Sequence, residues 1–133
     1  MTIESRETVE GLAPIVGSAI SSAATGSRII YLSGQVGTKA DGTMAGDTLA
    51  AQTEQAFRNI GVALEANGAT FADVAKVVFY VVDWAPDKLG GLFEGAIAAL
   101  GEELPVTAST LVGVQALFEP EWLIEIDATA VVD

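Results

Sequence analysis

Residues 75–82, Ala-Lys-Val-Val-Phe-Tyr-Val-Val, are β-branched and aromatic and read as a strand with apolar side chains on both faces. Side chains alternate across a strand, so Val77, Phe79 and Val81 oppose Val78, Tyr80 and Val82, and both sets need cover. Only two helical patterns are legible elsewhere in the chain, and two helices cannot cover both faces of a sheet of about five strands. Both enter as crossovers between strands, and right-handed crossovers put them on the same face. The other face must then be covered from outside the chain's own elements. Identical copies packing sheet against sheet are the simplest cover, with a small-molecule cleft between them where strand ends and loops meet.

The remaining elements follow from periodicity and turn chemistry. Leu49, Thr53, Ala56, Phe57, Ile60, Ala63 and Leu64 recur at helical spacing. Asp47 is the expected N-cap and Asn67-Gly68 the expected stop. Leu89, Leu92, Phe93, Ala96, Ile97 and Leu100 repeat the spacing up to Gly101, although Gly90, Gly91 and Gly95 weaken the pattern. Strands are expected over 15–24, 28–33, 107–114 and 121–132, with a turn at 25–27 and a short hairpin at Asp41-Gly42. The order is β-β-loop-α-β-α-β-β. One domain spans residues 1–133, and the polar, aperiodic residues 1–12 read as a loosely held arm.

Six basic against eighteen acidic residues give a net charge of −12. Such a surface repels phosphate backbones and anionic lipid, so neither nucleic acid nor membrane is an expected partner. No apolar run approaches the roughly 20 residues of a membrane span. The charged first residues do not read as a secretory signal, and a cytoplasmic location is the default expectation. There is no cysteine and no histidine. Thiolate metal sites and serine nucleophiles activated by histidine are thereby excluded, and the scattered acids form no metal-ligand cluster.

Proton transfer near neutral pH therefore falls to a carboxylate, a tyrosine, a lysine or bound water. In the closing strand, Ile124, Ile126, Ala128, Ala130 and Val132 share one face, and Leu123, Glu125, Asp127 and Thr129 the other. Glu125 is the leading acid/base candidate, because desolvation between subunits would raise its pKa. The competing reading is that Glu125 and Asp127 line a wetted sheet face. Tyr31, Trp84, Phe93 and Trp122 could wall a pocket or pack in a core, and Lys76 is more simply a snorkelling or ion-paired lysine than a Schiff base.

Several short motifs occur in one order. These are Ser33-Gly34-Gln35, Ala51-Gln52-Thr53-Glu54-Gln55-Ala56-Phe57-Arg58-Asn59, Gly68-Ala69, Asp73-Val74-Ala75-Lys76-Val77, Tyr80-Val81-Val82-Asp83 and Ile124-Glu125-Ile126-Asp127-Ala128. From about Pro14 to Val132 the chain resembles the RidA/YjgF family of reactive-intermediate imine deaminases. The resemblance implies a chorismate-mutase-like α+β fold, a mixed β-sheet with two helices on one face, and a homotrimer. It also implies intersubunit clefts that bind small carboxylate-bearing metabolites, without metal or organic cofactor, and hydrolyse enamines and imines to keto acids and ammonia.

By that resemblance Glu125 falls on the glutamate that positions or activates water. Ser33 and Gly34 fall on the segment whose backbone amides meet a ligand anion. The arginine that grips the substrate carboxylate bidentately falls on Ser109, and the cleft cysteine two positions later on Leu111. The family's first-strand aromatic has no clear counterpart near Ser18-Ala19-Ile20. Truncating one partner of a buried guanidinium–carboxylate pair costs roughly 2–5 kcal/mol, so 2-imino acids should bind poorly. Ser109 or Thr110 could instead bond a neutral or less charged substrate. The expected function is hydrolysis of an imine, enamine or related electrophile with an altered substrate range. The alternative is a trimer that binds a metabolite or partner without catalysis. Ribonuclease activity, sometimes attached to this family, is opposed by the acidic charge and the absent histidine.

Overall fold

The computed structural model describes residues 2–15 and 17–133. Its elements are β1 (Thr2–Arg6), β2 (Ser21–Thr25), β3 (Arg28–Tyr31), α1 (Leu49–Ala66), β4 (Val74–Val82), α2 (Leu89–Leu100), β5 (Ala108–Val114) and β6 (Ile124–Val132). β3, β6, β4 and β5 form one mixed sheet in that order, and β1 and β2 a separate antiparallel ribbon. β6 runs antiparallel to both β3 and β4, whereas β5 is parallel to β4. The two parallel relations are bridged by α1 and α2, as the crossover argument requires.

Alternation in β6 decides which face is core. Ile124, Ile126, Ala128, Ala130 and Val132 are all buried, and the residues between them are half-buried. Ile60 and Leu64 of α1 pack into the same core with Val77 and Val81 of β4. Each such side chain, fully buried, contributes on the order of 1.5–3 kcal/mol. Both helices therefore lie on one face, and the other face carries no element of the described chain.

α2 is regular through its glycines, and Gly95 has a packing reason. A Cβ there would stand 2.6 Å from Thr53 Cβ and 3.0 Å from the Glu54 amide, so the bare backbone lets α2 press directly on α1.

Several boundaries depart from the sequence reading. The strand expected over 15–24, whose residue 16 lies outside the described residues, is β2 at 21–25, and β3 ends at Tyr31 rather than at residue 33. Thr48, not Asp47, caps α1, its Oγ1 accepting from the Ala51 amide at 3.1 Å. Residues 2–6, read as part of an arm, pair with β2 as β1. β6 begins at Ile124 rather than Glu121, because the Leu123 amide is bonded to Gln52 Oε1 at 2.8 Å. The expected Asp41-Gly42 hairpin is present, with Thr38 bridging Met44 and the Lys39 amide donating to Thr43 O at 2.8 Å.

Candidate functional site

Polar side chains on α1 fix the loop that follows β3. Gln52 is buried, and its Nε2 donates to Gly46 O and Glu121 O, both at 3.0 Å, while its Oε1 takes the Leu123 amide. Asn59 Nδ2 donates to Val36 O at 3.0 Å and Thr38 O at 2.8 Å, and Gln55 Nε2 braces the Asn59 Oδ1. These amides satisfy backbone groups that an irregular loop would otherwise leave unpaired. They hold residues 36–46 and the entry to β6 in one relation.

Backbone pairing with β6 brings Gly34 against Glu125. The Leu32 amide donates to Ala128 O at 3.1 Å, and the Gln35 amide to Ile126 O at 2.8 Å. Between them, the exposed Ser33 and half-buried Gly34 pass alongside β6. A Cβ on Gly34 would lie 2.6 Å from both Cγ and Cδ of Glu125, so the carboxylate sits directly over the glycine backbone. In register, Glu125 pairs with Tyr80 and Asp127 with Val78 on the helix-free face. Tyr80 donates to Asp127 Oδ2 at 3.5 Å. The Asp127 charge, then partial desolvation, hold the Tyr80 phenol above its ordinary value, and Glu125 adds a smaller push in the same direction. Two carboxylates and a protonated phenol thus share a short stretch of open sheet.

The β5 candidates divide between the two faces. Thr110 pairs with Val78 on the open face and accepts from Lys76 Nζ at 2.8 Å. Ser109 and Leu111 pair with Val77 and Phe79, and so point beneath the helices. There they line a cavity of about 300 Å³ walled by Phe57, Phe71, Phe79, Leu92, Phe93 and Leu100. Phe57 contacts Phe71 and Phe79 with ring centroids 6.4 and 5.9 Å apart. Ser109 Oγ donates to Ser18 Oγ at 2.8 Å. Thr107 Oγ1 donates to Val74 O and Ala75 O at 3.2 and 3.0 Å.

One chain therefore presents two half-sites on opposite sides of its sheet. Ser33, Gly34, Glu125 and Thr110 are associated with the open face or its edge, and Ser109 and Leu111 with the cavity. The sequence reading did not find the cavity or its Ser18 and Thr107 hydroxyls. Phe93, which it weighed as a pocket wall, does line that cavity. Among the described residues no cluster of acids could hold a metal ion, and no helix is long and apolar enough to cross a membrane.

The sequence matches the family model described as Endoribonuclease L-PSP over residues 12–132. The chain is similar to the crystal structure of YyfB from Yersinia pestis, described as a protein of unknown function of the conserved Rid protein family. That likeness has 36% identity over 99% of this chain and 100% of that one, with a TM-score of 0.87. It is also similar to Rv2704 from Mycobacterium tuberculosis, a member of the YjgF/YER057c/UK114 family. There the identity is 30% over 98% of this chain and 100% of that one, with a TM-score of 0.63. No curated protein matches the chain.

Proposed function

The chain belongs to the YjgF/Rid family, described also as endoribonuclease L-PSP, and on that premise we propose that it is a cofactor-independent small-molecule hydrolase acting on C=N carbons. Its fold is the chorismate-mutase-like fold of that family, two helices on a mixed sheet. The observation that carries the proposal is the separation of the half-sites. Glu125 with the Gly34 backbone and Ser109 with its cavity lie on opposite faces of one sheet, so they can act on one molecule only across a contact between copies. A homotrimer with its clefts at the seams is the assembly proposed.

In this reading a neighbour's Glu125 takes a proton from water as its oxygen attacks the imine carbon, and returns a proton to nitrogen. The C–N bond then breaks, leaving a carbonyl compound and ammonia. The amides of Ser33 and Gly34 steady negative charge that develops on the substrate. Tyr80, held protonated beside Asp127, stands in register with Glu125 as a neutral donor.

The family's endoribonuclease description does not extend well to this chain. A net charge of −12 opposes a phosphate backbone, and no histidine is available for strand cleavage.

The test is ammonia release from enamines and imines generated in situ with varied charge. The expected result is acceleration for at least one of them, lowered about 10²–10⁴-fold by Glu125→Gln. No acceleration for any substrate, or a Glu125→Gln variant as active as the parent, overturns the proposal.

A further inference from the structure

Among the described residues, those lining the cavity beneath β5 are all uncharged. Aromatic and aliphatic side chains form its walls, and hydroxyls stand only at the corner of Ser18, Thr107 and Ser109. Its volume of about 300 Å³ is at the lower end of the range for pockets that enclose small molecules. We infer that this cavity holds the apolar body of an uncharged ligand, an aryl or branched alkyl group, and that Ser109 Oγ accepts one hydrogen bond from it. The inference deepens the proposed function and rests on it for the chemistry. The substrate class becomes the neutral ketimine or enamine, with an apolar group where a 2-imino acid carries its carboxylate.

Two observations point to this ligand and away from an anion. An unpaired carboxylate in such a space would lose its hydration with no cation among the lining residues to replace it. The Ser109 proton is directed to Ser18 Oγ at 2.8 Å, so the Ser109 oxygen turns lone pairs to the cavity. A lone pair there suits the N–H of a neutral imine and repels a carboxylate oxygen. The reaction balances without further reagents: R₂C=NH and water give R₂C=O and ammonia.

The test uses two unreactive molecules that share a skeleton, 1-phenyl-2-propanol and 3-phenyllactate, which differ by a methyl group against a carboxylate. Titration calorimetry on the full chain should give the alcohol at least about tenfold the affinity of the acid. Ser109→Ala should weaken the alcohol several-fold, and Val77→Phe, which fills the cavity, should abolish its binding. Ser109→Arg should reverse the preference, a gain that misfolding cannot produce. Equal or tighter binding of 3-phenyllactate by the parent overturns the inference, and so does Val77→Phe binding that matches the parent. Failure of both molecules to bind also overturns it, since the space is then filled by a neighbouring copy or closed. Because neither probe reacts, alcohol binding without ammonia release in the enzymatic assay would leave this inference standing and remove only the catalytic reading.

Discussion

At Gly34 a methyl group would land 2.6 Å from Glu125 Cδ, so this glycine decides where the carboxylate can sit. Gly34→Ala should push Glu125 off its position while leaving the sheet intact. A displacement of about 1 Å at a reacting group can cost on the order of a hundredfold in rate, and that is the loss expected in turnover with an unchanged far-UV spectrum. Full activity in the alanine variant would mean that Glu125 acts from elsewhere. Tyr80 gives a second test on the same surface. Its folded-state pKa is raised above the unfolded value, chiefly by Asp127. The protonated phenol thus favours the fold below the unfolded pKa, and that contribution is lost as pH rises through the folded value. Asp127→Asn should move the phenol back down toward its ordinary range in an absorbance titration at alkaline pH. An unmoved curve would show that Asp127 does not set it. Glu125 itself was legible in the sequence as an acid on an alternating strand. Its closeness to Gly34 came only through the family resemblance, because it depends on the Leu32 and Gln35 amides bonding Ala128 O and Ile126 O of a strand far along the chain.

At the scale of elements, the α1 motif earns a physical explanation through Gln52 and Asn59. Gln52→Leu keeps the volume but strands the Leu123 amide and two carbonyls, at roughly 1–3 kcal/mol for each group left unsatisfied and buried. Chemical denaturation should show a loss of about 3 kcal/mol, whereas Thr48→Ala should cost only about 1 kcal/mol through the lost cap. A neutral Gln52→Leu would mean that β6 is positioned by its ladder alone. The long apolar periods of α1, β4 and β6 were readable because burial on one or both faces imprints them. β1 was not, since both of its faces are largely exposed and its partner lies far along the chain. The α1 cap moved by one residue because Asp47 and Thr48 are both competent caps, and only the Thr48 hydroxyl reaches the Ala51 amide. The cavity escaped the sequence for a different reason, being built where α2, β5 and the segment around Ser18 converge.

For the whole molecule, the helix-free face is the feature to be explained. Tyr31 and Ile29 on it are 77% and 56% exposed, and Val112 is 37% exposed, beside half-buried Val78 and Tyr80. An apolar sheet face bearing two carboxylates is poorly matched to water and well matched to copies of itself. Joining Glu125 of one copy to the cavity of another requires the open face of the first to meet the cavity side of the second, so the catalytic proposal and the assembly stand together. The most direct measurement is the mass of the purified chain in solution by light scattering at micromolar concentration. The account predicts three times the 13.7 kDa of one chain. A stable particle of 13.7 kDa would leave the two half-sites on opposite sides of a lone sheet and contradict it.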